Sequence, residues 1–211
     1  VFSRHDLLVI DPHHWAAALA GLPDRDETRL LVDWAQLGRP VIIRRRLAHE
    51  PEDDLPVGVQ LPLSAGRRRV ALRVPPDSVI ARPERPDIAA ARPHAPEGWL
   101  PTLAALQSLP GLAAPARVFG SLLWQCMTGL LYLREQSDLD LTFPCDGDPQ
   151  PVADAIATID RSSHPRIDGE LLLPDGAACH WRELVDRDGR DILVKTDTGV
   201  ELRRRHALVS A

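Results

Sequence analysis

The chain is predicted to be α+β, with a small N-terminal α+β module followed by a mixed-sheet domain. Three observations predict this fold. Helical stripes and alternating strands occur in both halves, a proline-dense stretch separates them, and the second half alternates helix with strand before closing in hairpins. A length of 211 residues accommodates two small domains, and 44% hydrophobic content supports a core for each. The expected division is an N-terminal module over 1–80, a connector over 81–99 and a second domain over 100–211.

In the first module, Pro12 to Ala20 is expected to be helical. Asp24 with Glu27 fits a capping box for a second helix. Leu30, Leu31, Trp34 and Leu37 recur on one face of that helix until Gly38 stops it. Pro40 to Ile43 reads as a short strand, and Leu55–Leu63 pairs with Arg67–Val74 as a hairpin across Ser64-Ala65-Gly66. From Pro75 to Pro101 seven prolines break long helices and central strands, which places the domain boundary inside this stretch.

Beyond it, Leu100–Leu109 is an expected helix, Arg117–Phe119 a short strand and Ser121–Leu131 a helix whose buried face carries Leu123, Trp124, Met127 and Leu130. Asp138–Phe143 follows as a strand and Pro149–Arg161 as a helix. Ile167–Leu173 and Ala177–Trp181 form a hairpin turning at Asp175-Gly176. Asp191–Thr196 and Val200–Arg203 form a last one, turning at Asp197-Thr198-Gly199.

Composition excludes several function classes. A net charge of −5 argues against a dedicated nucleic-acid binder. No run approaches the roughly eighteen apolar residues of a membrane span. The chain does not open on a secretory pattern, so a cytoplasmic location is expected. Cys126, Cys145 and Cys179 lack zinc or CxxC spacing and read as reduced thiols.

The chemistry concentrates at Gly120-Ser121 and Asp138-Leu139-Asp140. On a strand, Asp138 and Asp140 point to one side, roughly 7 Å apart along the backbone. Neighbouring carboxylates are stabilised by a cation, and oxygen ligands suit Mg²⁺, with Mn²⁺ as the alternative. Gly120 allows close backbone approach, while the Ser121 hydroxyl and N–H open a helix where phosphate can rest. Together they point to nucleotidyl transfer.

The same residues carry a resemblance. Phe119-Gly-Ser-Leu-Leu-Trp124 with Ser137-Asp-Leu-Asp140 is similar to the signature of the DNA-polymerase-β-like nucleotidyltransferases. Arg4-His-Asp, Gly38-Arg-Pro40, Trp124-Gln125 with Thr128-Gly129, Asp168-Gly-Glu-Leu171, Trp181-Arg-Glu-Leu184 and Val194-Lys-Thr196 resemble one family along most of the chain. That family is the malonate decarboxylase holo-acyl-carrier-protein synthases, or phosphoribosyl-dephospho-CoA transferases. The resemblance implies a nucleotidyltransferase-like second domain. It implies transfer from 2′-(5″-triphosphoribosyl)-3′-dephospho-CoA to a serine of the apo acyl-carrier subunit of malonate decarboxylase, releasing pyrophosphate. Asp138, Asp140 and Asp168 would be the catalytic and metal-holding carboxylates, with Glu170 the rival for the third place. Gly120, Ser121, Gln125, Thr128 and Lys195 would bind substrate, Lys195 being the single lysine of the chain.

Two other classes stay open: a nucleotidyltransferase with a small-molecule, RNA or different protein acceptor, and a non-catalytic nucleotide-binding module. Each residue also has a plain structural reading. Ser121 alone is a helix cap, the Asp pair a solvated strand face, Asp168 a turn residue, and Lys195 a solvated lysine. His13-His14 are expected at the surface, since adjacent helical side chains diverge. Arg44-Arg45-Arg46, Arg67-Arg68-Arg69 and Arg203-Arg204-Arg205 read first as solvated faces; the second reading makes one triplet, with the two N-terminal ones preferred, a docking surface for an acidic carrier.

Overall fold

The computed structural model describes residues 2, 5–22, 29–47, 49–186, 188, 191–196 and 199–209. The fold is α+β and divides into two units, Val1–Arg85 with Met127–Leu133, and Pro86–Cys126 with Arg134–Ala211. Arg4, the Asp24/Glu27 capping box and the Asp197-Thr198 turn lie outside the described residues.

In the first unit, strands β1 (Leu7–Ile10), β2 (Val41–Ile43), β3 (Leu55–Gln60), β4 (Arg69–Val74) and β5 (Val79–Ala81) form an antiparallel sheet in the order β4-β3-β2-β1-β5. Helix α1 (Pro12–Leu19) starts where the Asp11 carboxylate accepts the N–H groups of His13 and His14, with Pro12 supplying a ready helical φ. The expected β3–β4 hairpin forms with Leu55 opposite Val74 and Gln60 opposite Arg69, and Gly66 takes φ +73° in its turn.

Residues 30–38 differ from expectation. They run as successive turns, several closed by i to i−3 bonds, instead of one regular helix. Leu31 and Trp34 are fully buried, but Leu30 and Leu37 are exposed. The indoles explain which residues turn inward: Trp15 Nε1 donates to the Leu31 carbonyl at 2.7 Å and Trp34 Nε1 to that of Pro40 at 2.9 Å. Residues 127–133 join this unit through backbone and hydroxyl bonds, Leu63 N to Leu131 O at 2.9 Å and Tyr132 Oη to Gln60 O at 3.0 Å.

The second unit holds α2 (Ile88–Ala91), α3 (Leu100–Gln107), β6 (Arg117–Val118), α4 (Gly120–Thr128), β7 (Leu139–Pro144), α5 (Gln150–Asp160), β8 (Ile167–Leu172), β9 (Ala178–His180), α6 (Trp181–Val185), β10 (Asp191–Lys195), β11 (Val200–Arg204) and α7 (Arg205–Val209). Its mixed sheet runs β11-β10-β9-β8-β7-β6, with β7 and β8 parallel through the α5 crossover and the other neighbours antiparallel.

Alternation along these strands separates two faces. Leu139, Leu141, Phe143, Ile167, Leu171, Cys179 and Val194 are buried on one side, where α5 contributes Val152, Ala153 and Ile156 and α6 contributes Trp181 and Leu184. Gly169 lies on that side because a Cβ there would meet Phe143 Cε2 at 2.7 Å and Trp181 Cδ1 at 3.1 Å. Asp140, Thr142, Asp168, Glu170 and His180 occupy the other face by register.

Two element boundaries differ from expectation. The strand read as ending at Trp181 stops at His180, which caps α6 so that Trp181 becomes helical. The helix expected to reach Leu131 ends at Thr128 ahead of Gly129, whose φ is +70°. Leu123 and Trp124 are buried as expected, whereas Met127 and Leu130 are only half-buried. No described helix is long and apolar enough to cross a membrane.

Candidate active site

The site begins where β6 turns into α4. Val118 pairs with Leu141, and the next residue continues the ladder: Phe119 N donates to Asp140 O at 3.0 Å. Gly120 then takes φ +59° and opens α4. Its Cα lies directly beneath the Asp140 carboxylate, since a Cβ would come within 1.8 Å of Oδ2 and 2.5 Å of Cγ. Both the backbone angle and the space require glycine. Ser121 follows in the first turn of α4 and is buried.

Parallel pairing sets the next relationship. Asp140 registers with Asp168, and Thr142 with Glu170, so the two aspartates are side by side on adjacent strands of the same face. Adjacent strands lie about 4.8 Å apart. Ionised carboxylates at that spacing repel unless cations or donors compensate them.

The compensation is distinct for each acid. Asp138 sits one residue before β7 instead of inside it, and Arg166 grips it with both ends of its fork, Nε to Oδ1 at 3.0 Å and Nη2 to Oδ2 at 2.6 Å. These bonds hold the Asp138 carboxyl below its ordinary range. Asp168 accepts from His180 Nε2 at 2.9 Å. Glu170, 15% exposed, forms an ion pair with Lys195. Lys195 lies at the end of β10, with its ammonium directed at Glu170.

The other expected substrate contacts separate. Gln125 Nε2 donates to the His94 carbonyl at 2.7 Å. Thr128 accepts from Leu130 N at 3.2 Å and belongs to the first unit. The structure thus brings Gly120, Ser121, Gln125, Asp138, Asp140, Asp168, Glu170 and Lys195 into one unit, with Gln125 committed to the His94 carbonyl, and assigns Thr128 to the other.

No group of three or more His, Cys, Asp or Glu among the described residues is gathered as a metal site. What the fold offers is the Asp140–Asp168 pair. Such a pair suits Mg²⁺, which keeps most of its waters and takes one or two carboxylates together with substrate phosphates.

Three further residues shape the site through contacts that the sequence does not specify. Arg166 is an ordinary arginine until the parallel pairing brings it to Asp138. His180 reads as the end of a strand until its ring is seen capping α6. Arg182 stacks its guanidinium 4.2 Å from the Trp181 ring centre and donates to Ile167 O at 3.0 Å and Asp160 Oδ2 at 2.9 Å, pinning the start of β8. Elsewhere the arginine triplets are largely engaged: Arg44 with Glu50, Arg203 with Asp175 and Glu201, Arg205 with carbonyls of Glu183 and Leu184. The cysteines are unbridged, and burial raises their thiols to about 11 for Cys126 and Cys145 and about 12 for Cys179.

Comparison with known proteins agrees along the whole chain. The family profile described as phosphoribosyl-dephospho-CoA transferase MdcG N-terminal domain matches residues 3–86, and that of the MdcG C-terminal domain matches residues 87–206. A Bradyrhizobium diazoefficiens protein named phosphoribosyl-dephospho-CoA transferase is 41% identical over 215 residues, covering 99% of this chain and 92% of the relative. Proteins of the same name from Xanthomonas campestris pv. campestris and Xanthomonas axonopodis pv. citri are 36% and 35% identical. They cover 83% and 99% of this chain, and it spans 83% and 97% of them. No solved structure matches the chain.

Proposed function

The chain belongs to the phosphoribosyl-dephospho-CoA transferase family, and we propose that it loads the acyl-carrier subunit of malonate decarboxylase. The donor is 2′-(5″-triphosphoribosyl)-3′-dephospho-CoA. A carrier serine oxygen forms a bond to the α-phosphorus, the bridging bond to the β-phosphate breaks, and pyrophosphate leaves. The reaction is a nucleotidyl transfer on a nucleotidyltransferase-like domain, in the cytoplasm.

One observation supports this reading above the others: paired carboxylates of Asp140 and Asp168 stand beside a glycine-led helix mouth. Asp140 and Asp168 would hold Mg²⁺ or Mn²⁺, which would neutralise phosphate charge and acidify the attacking hydroxyl. Asp138 completes the set of three in this reading, and Arg166 must release it before it serves. For the acid that joins Asp138 and Asp140, Asp168 is favoured over Glu170, because Glu170 registers with Thr142 and its charge is met by Lys195. The N-terminal N–H groups of α4, with the Ser121 hydroxyl, orient the outer phosphates of the donor. A carboxylate oxygen of the Asp140–Asp168 pair takes the serine proton.

The test is transfer to purified apo carrier with the triphosphoribosyl donor and Mg²⁺, read as a mass increase on the carrier serine and as released pyrophosphate. Asp140→Asn and Asp168→Asn are expected to lower turnover by at least roughly a hundredfold while the carrier still binds. An unmodified carrier with wild-type protein, or undiminished transfer in both variants, would overturn the proposal.

A further inference from the structure

We propose that His180 is the positioning residue for Asp168, holding that carboxylate in the one orientation that serves the site. This rests on the proposed function. It adds a residue to which neither the family resemblance nor the acid motif points.

Donors and acceptors around the ring assign its tautomer. Arg182 N donates to His180 Nδ1 at 3.1 Å. A backbone N–H only donates, so Nδ1 carries a lone pair and the ring proton resides on Nε2. Nε2–H then points at Asp168 Oδ1, 2.9 Å away, and an ionised carboxylate only accepts. Both ring nitrogens are thereby committed. The neutral imidazole keeps no open lone pair with which to take a proton from an acceptor hydroxyl, so it is not the general base. Its role is orientation: one end of the ring is anchored on the first turn of α6 and the other end on the carboxylate.

Packing fixes the ring further. The imidazole lies 5.9 Å from the Trp181 ring, tilted 24° from its plane, and Trp181 Nε1 donates to Ile167 O at 3.2 Å. Glu170 is the register partner of His180, so β9 brings the histidine beside the acid row while α6 holds its ring in place. With Oδ1 of Asp168 bonded to His180, Oδ2 would be the oxygen offered to a divalent cation held together with Asp140. Groups that orient a metal-holding side chain this way typically change affinity or activity about 10–100-fold when removed.

Two substitutions separate orientation from helix capping. His180→Asn keeps a short side-chain oxygen for the Arg182 N–H but cannot reach Asp168. His180→Gln reaches Asp168 with an amide N–H but caps poorly. His180→Asn is expected to keep the wild-type Tm within a few degrees, lower kcat about 10–100-fold with donor KM little changed, and weaken Mn²⁺ binding, measured calorimetrically without donor, about tenfold or more. His180→Gln is expected to recover most of the kcat and Mn²⁺ affinity while lowering Tm by a few degrees, through the lost cap.

Equal kcat losses in the two variants tracking Tm would overturn the proposal in favour of a capping role alone. Unchanged kcat and Mn²⁺ affinity in His180→Asn would overturn it outright. Failure of the wild-type protein to modify the carrier sinks the functional reading instead, and the Mn²⁺ comparison still decides the role of His180.

Discussion

The Asp140 carboxylate rests on the Cα of Gly120, with Oδ2 only 1.8 Å from where a Cβ would stand. No backbone-preserving substitution fits there, because the side chain would enter the carboxylate and the φ of +59° would also be strained. This contact ties the start of α4 to the acid pair, so one residue sets both the mouth of that helix and the position of Asp140.

Gly120→Ala is therefore expected to displace Asp140 and destabilise the second unit by roughly 1–3 kcal/mol. Transfer activity should fall by at least roughly a hundredfold. Thermal denaturation and steady-state kinetics check both, and a variant with wild-type activity would refute the contact.

Lys195 answers a mostly buried acid. Lys195→Met leaves Glu170, 15% exposed, without its ion partner and is expected to cost about 2 kcal/mol. Adding Glu170→Gln should restore most of that loss. A double-mutant cycle by urea denaturation is expected to return a coupling of about 1 kcal/mol or more; strict additivity would show that the pair contributes nothing.

Gly169 tests the opposite face of the same strand. Gly169→Ala places a methyl 2.7 Å from Phe143 Cε2, an overpacking that typically costs about 1–3 kcal/mol. Phe143→Leu in the same chain should relieve part of it, measured as a partial recovery of Tm.

Acid sensitivity is expected in the first unit. Arg44, by its hydrogen bonds, and then the Leu47 N–H lower the Glu50 carboxyl from 4.5 to about 2. A carboxyl depressed on folding stabilises the native state fully above its unfolded value, and that stabilisation is lost as pH falls through the folded value. The wild-type chain should thus lose more stability than Glu50→Gln between pH 4.5 and about 2. Denaturation midpoints across that window measure it, and parallel curves would remove Glu50 from the account.

Much of the fold is legible in local pattern. The β3–β4 hairpin follows from alternation around a glycine turn, and the observed pairing of Leu55 with Val74 obeys it. Gly120-Ser121 announces a strand-to-helix corner, and the corner is there. What local pattern misses is long-range. Residues 127–133 read as the end of a helix and its exit, yet they join the first unit through Tyr132 and Gln60, 72 positions apart. Leu30 and Leu37 carry a helical period, but Trp15 and Trp34 draw only part of that segment inward.

For the candidate site the division is similar. The sequence by itself determined which residue types are available: a glycine at a corner, acids spaced by two, a lone lysine and a histidine at the end of an expected strand. Only the tertiary structure decided their partners. Asp140 meets Asp168 because β7 and β8 pair in parallel in one register, and a slip of one residue would send them to opposite faces. That register is set by burying Leu139, Leu141, Phe143, Ile167 and Leu171 together on the far side of the sheet. Side-chain identity and backbone angle are local properties, whereas strand pairing depends on a core assembled from residues distant along the chain.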